Sequence, residues 1–307
     1  VEIHLCTHCP TLVDIAGFID HISIWYKQVA DKPFHGHYAQ QVECLAGIGK
    51  VGIANRSLNR WGISVRQGEK KTGSLYLKGK AEVWVALQSV DGEKEYAVQC
   101  IRTESGDWKK YTFELIPDKT DENARFAIYL KGKGRFLVDM VTLMNGADRQ
   151  FRGLPLRNDI GQAMVDQGLR FLRYGGTMVN APEYRFKNMI GDRALRPPYK
   201  GHWYTYSTNG FGIEDFLRFC EKAGFVPAYA VNVEEPAQDM ADMIEYLNGP
   251  VDTEWGKKRA ANGHPEPYGL KYLEIGNEEV IWGDIEAEYQ HYIDRFNDIY
   301  EIGRAHV

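Results

Sequence analysis

The chain has 307 residues, is 44% hydrophobic and 26% charged, and carries a formal net charge of -5. That balance gives no basic footprint for a nucleic-acid backbone, and the longest apolar runs are too short to cross a bilayer. Typical domains hold about 100 to 200 residues, so the length accommodates two.

Five cysteines, at positions 6, 9, 44, 100 and 220, are odd in number and scattered, which excludes a disulfide framework. Cys6-Thr-His-Cys9 has the spacing of half a zinc site, but no second pair follows at a suitable distance, so neither metal nor organic cofactor is expected. The chain starts at Val1 without a charged-then-apolar signal segment. Because an initiator Met is absent too, localisation stays open between cytoplasmic and secreted.

In chain order, residues 40–146 read as short strands: Gly73–Lys78, Glu82–Leu87, Glu95–Arg102, Lys109–Leu115, Ala124–Tyr129 and Arg135–Leu143. Asp91-Gly92, Gly106-Asp107 and Gly132-Lys-Gly134 separate them at the short intervals of antiparallel sheets, which predicts a β-sandwich. For Trp61, Trp84 and Trp108 in this block, core packing is favoured over sugar stacking for at least two of the three.

Beyond residue 150 helices and strands alternate. A helix is predicted over about Leu156–Gln167, then the strand Leu169–Tyr174 ending in Gly175-Gly176. A helix from about Gly212 buries Ile213, Phe216, Leu217 and Cys220 ahead of the strand Phe225–Val231, and another carries Met240, Met243, Ile244 and Leu247. A polar link over Asn248–Tyr268 precedes the apolar strand that runs into Asn277 and Glu278. A last helix uses Ile285, Tyr289, Tyr292, Ile293, Phe296 and Ile299 as its buried stripe. Such alternation implies right-handed crossovers and a parallel sheet with too few strands to close.

A carboxyl at the carboxyl end of a buried parallel strand sits where barrel enzymes keep their chemistry, so Glu278 is the candidate proton donor. The plainer alternative makes Glu278 and Glu279 solvated acids capping the next helix. Three strand ends carry polar residues in series: Arg173-Tyr-Gly-Gly-Thr-Met-Val-Asn180, Ala230-Val-Asn-Val-Glu-Glu235 and Ile275-Gly-Asn-Glu278. Gly175-Gly176 also suits a tight turn, Asn209 a helix N-cap, and Asn232 a tie between strand end and loop. His202, Trp203 and Tyr204 fall in a long loop at the presumed active face.

These segments, with Tyr204–Gly212 and Gly263–Tyr268, resemble family 51 glycoside hydrolases, the α-L-arabinofuranosidases, over about residues 153 to 300. The resemblance implies an α/β plus all-β chain: the N-terminal half of a (β/α)8 TIM barrel with an antiparallel β-sandwich like a carbohydrate-binding module. Residues 1–39 would be a degraded first barrel strand and exit segment, 40–146 the inserted sandwich, and 147–301 the first half of the barrel. It also implies a retaining hydrolase releasing terminal α-L-arabinofuranosyl units from plant polysaccharides, with Glu278 as acid/base. Asn277, Asp20, Gly176, Thr177, Asn180, Asn209, Asn232 and Trp203 would bind substrate. Asp20, Thr177 and Gly210 stand where the family usually has Glu, Asn and Glu, the mark of a divergent branch.

The nucleophile of such a barrel lies on a late strand, so no residue of this chain is assigned to it, and the chain as written is expected to be inactive. Ile302-Gly-Arg-Ala-His-Val307 back-translates to the start of a common short-read sequencing adapter, and residues 302–307 are therefore expected to be artefact. Two alternatives stand beside the arabinofuranosidase: an endo-β-glucanase on the same barrel, and a non-catalytic carbohydrate-binding protein. A polysaccharide or oligosaccharide is the expected partner, with no nucleic acid and no membrane. A homo-oligomer stays open for the full-length parent.

Overall fold

Nine antiparallel strands and a separate three-stranded parallel sheet make up the sheet structure of the described residues, in two compact units that divide after Ile160. The computed structural model describes residues 13–16, 23–30, 32–47, 49–203, 207–279 and 285–305.

The first unit contains β1 (Val13–Ala16), β2 (Ser23–Val29), β3 (Ala39–Ala46), β4 (Lys50–Asn55), β5 (Ile63–Val65), β6 (Lys71–Gln88), β7 (Glu95–Leu115), β8 (Asp121–Lys131) and β9 (Gly134–Asn145). Their order is β1-β4-β8-β6-β9-β3-β2, with β7 also on β6 and β5 on β8. The two strands expected over 73–78 and 82–87 are one continuous strand, β6, and the expected turn at Gly106-Asp107 lies inside β7. Gly79 explains the difference. It holds φ +130° and pairs with Ser105 across a register shift, so the ladder continues where the sequence suggests a break.

The long β6–β7 hairpin changes neighbours along its length. Residues 71–78 of β6 pair with β9, and residues 84–88 pair with β8. Its alternate residues Leu75, Leu77, Val83, Val85 and Leu87 are all fully buried, so one face of one hairpin lines the core at both ends. Phe113 stacks on Phe126 at 5.5 Å within the same core cluster. The result is a curled antiparallel sheet wrapped around one apolar interior.

The second unit takes in most of α1 (Asn158–Asp166), then β10 (Phe171–Tyr174), α2 (Ile213–Ala223), β11 (Val226–Val231), α3 (Ala237–Asn248), α4 (Glu254–Ala261), β12 (Tyr272–Ile275) and α5 (Ile285–Ala305). The sheet is parallel in the order β10-β11-β12. α2 begins after Gly212, ends at the left-handed Gly224, and buries Ile213, Phe216, Leu217 and Cys220 as its period predicts. Phe216 stacks on Tyr174 of β10, which stacks in turn on Tyr229 of β11.

Two expectations need correction. The polar link over 248–268 contains α4, capped by Thr253 Oγ1 accepting from Gly256 N and anchored by buried Trp255 and Arg259. Arg259 is completely buried because its guanidinium donates to the carbonyls of Tyr246, His264 and Pro265. The apolar stripe of α5 is only partly covered: Ile299 is buried, Tyr292, Ile293 and Phe296 are half-buried, and Tyr289 is exposed.

A Cβ at Gly79 would lie 2.9 Å from Arg135 O, whereas one at Gly68, which also has positive φ, would meet nothing. Gly79→Ala should therefore lower unfolding free energy by about 1–3 kcal/mol more than Gly68→Ala. Urea unfolding of both variants measures the difference.

Candidate active site

The carboxyl ends of β10, β11 and β12 collect the polar residues of the second unit. Arg173 on β10 reaches across β11 to β12, where its Nη2 donates to Glu274 Oε1 at 2.9 Å and to Asn277 Oδ1 at 3.0 Å. The crossing depends on small neighbours. In register, Arg173 sits beside Ala228 and Glu274 beside Ala230, so only methyl groups of β11 lie between the partners. Gly175 completes the gap, since a Cβ there would be 2.8 Å from Ala230 Cβ and 3.0 Å from Arg173 Cζ. Of the glycine pair, only Gly176 needs a left-handed backbone, with φ +113°.

Asn277 is held on three sides. Its Oδ1 accepts from Arg173, its carbonyl accepts from Asn180 Nδ2 at 2.8 Å, and its N–H donates to Glu279 Oε1 at 3.0 Å. Gly176 opens the turn that carries Thr177 and Asn180, and Val179 N donates back to Gly176 O. Asn232 pins that turn to β11, its Nδ2 donating to Val179 O and Ala181 O at 2.6 and 3.0 Å. Five sequence-predicted residues thus meet in one network, Gly176, Asn180, Asn232, Asn277 and Glu278, and Thr177 lies on the turn that Gly176 opens. Asn180 Oδ1 is buried without a hydrogen-bond partner among the described residues.

Glu278 stands at the tip of β12 with φ +55°, a conformation a non-glycine residue adopts at a cost, and its carboxyl is exposed. Asn277 Nδ2 lies 3.5 Å from Glu278 Oε2. Beside them opens a cavity of about 330 Å³ lined by Asn277, Glu278, Glu279, Tyr289, Tyr292 and Phe296. The half-covered α5 stripe is one wall of this cavity. Burial pushes up the carboxyl of Glu279, while the bond from Asn277 N opposes that shift. Gly276 is needed here because a Cβ would fall 2.5 Å from Glu279 Oε1.

Other predicted residues sit apart from this network. Asn209 is buried at φ +52°, and its Nδ2 donates to Pro197 O at 2.7 Å. It does not cap α2, which starts after Gly212 as its sequence suggests, with the Gly212 N–H donating to Asp215 Oδ2 at 2.9 Å. Trp203 is 73% exposed. Asp20 lies outside the described residues.

Sequence reading missed Glu235. It is 1% exposed, accepts from Phe186 N at 3.3 Å, and has Arg185 Nη1 at 3.9 Å. Burial raises its carboxyl to about 7 against the lowering influence of Arg185. Arg295 of α5 donates to the Glu235 carbonyl at 2.6 Å and to Val233 O at 3.1 Å, which ties the last helix to the tip of β11. Nothing local in the sequence distinguishes buried Glu235 from half-exposed Glu234.

Residues 163–305 match the family model described as an alpha-L-arabinofuranosidase 1 domain. Alpha-L-arabinofuranosidase 1 of Arabidopsis thaliana is 31% identical over 255 residues, covering 75% of this chain and 37% of that protein. Alpha-L-arabinofuranosidase A of Aspergillus kawachii is 28% identical over 284 residues, covering 82% and 44%. An arabinose-bound family 51 α-L-arabinofuranosidase structure superposes with a TM-score of 0.81 at 23% identity, covering 96% of this chain and 51% of that one, a match of fold. The chain is similar to family 51 glycoside hydrolases and spans less than half the length of these curated proteins.

The unfolded chain releases the Glu235 proton near 4.5 and the folded chain near 7, so between those values the native state holds a proton that the unfolded state has lost. The stability this group contributes is complete at low pH and is lost as pH rises through about 7, a change of about 3 kcal/mol. Glu235→Gln should flatten that decline. Urea unfolding of both proteins at about pH 4.5 and about pH 8 isolates the difference.

Proposed function

We propose that this chain carries part of a retaining α-L-arabinofuranosidase, with Glu278 as acid/base and Asn277 as the group that reads the sugar's 2-hydroxyl. The observation behind this reading is the three-sided hold on Asn277 directly beside Glu278, within the 163–305 match. In a retaining glycosidase one carboxyl protonates the leaving oxygen while a second, about 5 Å away, attacks the anomeric carbon. The first then takes a proton from the water that releases the sugar. Glu278 has the first role in this reading, and no residue is assigned the second.

Asn277 can serve the substrate because its other polar atoms are engaged. With Oδ1 committed to Arg173, Nδ2 is turned toward the cavity side, where a sugar oxygen would complete its bonding. Asn180 Oδ1 supplies a buried acceptor for a hydroxyl donor. Glu278 is exposed at the tip of β12, where a leaving-group oxygen arriving from the cavity side can reach its carboxyl.

We further read the three-stranded sheet as part of a (β/α)8 barrel and the curled sheet as a carbohydrate-binding-module-like sandwich inserted into it. In support, Phe171, Val226 and Tyr272 are 49%, 43% and 52% exposed on the sheet face opposite the one α2 covers. Three aligned apolar side chains on one face suit the lining of a closed barrel.

The cationic arabinofuranose mimic 1,4-dideoxy-1,4-imino-L-arabinitol should bind this chain, and its D-enantiomer should not. Asn277→Ala and Glu278→Gln should each weaken binding about 10-fold by calorimetry. Equal binding of the two enantiomers would reject the assignment. In a catalytically competent chain carrying this segment, Glu278→Gln should lower kcat/KM on an aryl α-L-arabinofuranoside by about 10²- to 10⁴-fold.

A further inference from the structure

The first unit has a cavity of its own, about 330 Å³, where β6 starts and β9 ends. Lys71 and Asn145 are cross-strand partners there, and Lys71 Nζ donates to Asn145 Oδ1 at 2.5 Å. The chain after β9 forms one wall. Gly146 N donates to Lys70 O at 2.8 Å, and the Gln150–Arg157 bridge folds the following segment back, so that Arg149 and Arg157 reach the same cavity. The segment from Gly62 to Arg66 lines it as well.

Its charge is unbalanced. Arg66, Lys71, Arg149 and Arg157 line it against two carboxylates, Glu69 and Asp159. Arg149 pairs with Glu69 at 3.0 Å and Arg157 with Asp159 at 2.5 Å. That leaves Lys71 and Arg66 without a carboxylate partner among the described residues. Burial drives the Lys71 ammonium below its usual range; Glu69 opposes the shift, while Arg149 and Arg157 add to it. An ammonium that uses one of three donors, crowded by like charges, gains from an incoming anion.

A small inorganic anion would need only the cations, yet Ser57, Ser64 and Asn158 line the same space with neutral hydroxyl and amide groups. Those are partners for a polyol. Next to the pocket-lining Gly62 stands Trp61, 73% exposed. Its loop is fixed, with Trp61 N donating to Leu58 O at 3.1 Å and Gly62 N to Arg56 O at 2.8 Å. The other two tryptophans of this unit singled out from sequence are occupied: Lys131 covers the Trp84 ring at 3.4 Å, and Trp108 Nε1 donates to Lys32 O at 2.9 Å.

We infer that this cavity binds an acidic sugar unit, a hexuronate within a glycan. Lys71 and Arg66 take its carboxylate, the serine and asparagine side chains take its hydroxyls, and Trp61 offers a face to the adjoining ring. The site belongs to the curled-sheet unit and does not depend on the reading of Glu278.

Trigalacturonate and its fully methyl-esterified form, titrated into the 307-residue protein, test the inference. The acid should bind, the ester should bind at least about 10-fold more weakly, and the acid's affinity should fall with rising salt. Trp61→Ala and Lys71→Gln should each weaken the acid about 10-fold, and an unchanged thermal midpoint for the exposed Trp61→Ala variant excludes unfolding as the cause. Equal binding of acid and ester, failure of the acid to bind, or unaltered affinity in both variants would overturn the proposal. So would inorganic phosphate binding as tightly as the trisaccharide, which would make this an adventitious ion site only.

Discussion

The candidate site depends on one guanidinium crossing one strand. Arg173 links β10 to β12 over Ala228 and Ala230, with Gly175 leaving the space it needs, and so fixes which way the Asn277 amide points. As an ion pair the Arg173–Glu274 contact is half-exposed and adds little to stability. Its value is directional. With Oδ1 held by Arg173 and the backbone held by Asn180 and Glu279, the donor side of Asn277 remains toward Glu278 and the cavity.

The neighbouring acids divide along the same lines. Glu279 turns inward to accept from Asn277 N, and burial raises its carboxyl, whereas Glu278 takes a left-handed backbone and extends outward from the tip of β12. One acid therefore builds the turn and the other is presented by it. Glu235 is a third arrangement, buried beneath the tip of β11 with Arg185 as its nearest cation and its own carbonyl bonded to Arg295. Three strand-end carboxyls thus have different surroundings, and for the two more buried ones, Glu235 and Glu279, desolvation raises the carboxyl.

Much of this was legible in the chain because the signals were local. Short runs separated by turn residues such as Asp91-Gly92 and Gly132-Lys-Gly134 marked the antiparallel strands, a 3.6-residue period marked α2 and α3, and polar residues following apolar runs marked the three strand tips. What escaped depended on distant partners. Gly79 looks like a break in sequence, but β6 continues through it because β7 pairs with both sides. The segment of α4 looks like a link, since Trp255 is its only large apolar residue and Arg259 is buried through carbonyls supplied by other segments. The α5 stripe has the right period, yet among its described side chains only Ile299 is fully covered, because most of the rest faces a cavity. The role of Arg173 could not be read at all, for it rests on the size of two alanines on another strand.

The most direct measurement is the structure of this chain bound to an arabinofuranose mimic. The ligand should lie in the cavity beside β12, its 2-hydroxyl within hydrogen-bonding distance of Asn277 Nδ2 and its anomeric side next to the Glu278 carboxyl, with the Arg173–Asn277 bond unchanged. A ligand seated elsewhere, or an Asn277 amide facing away from it, would contradict the account.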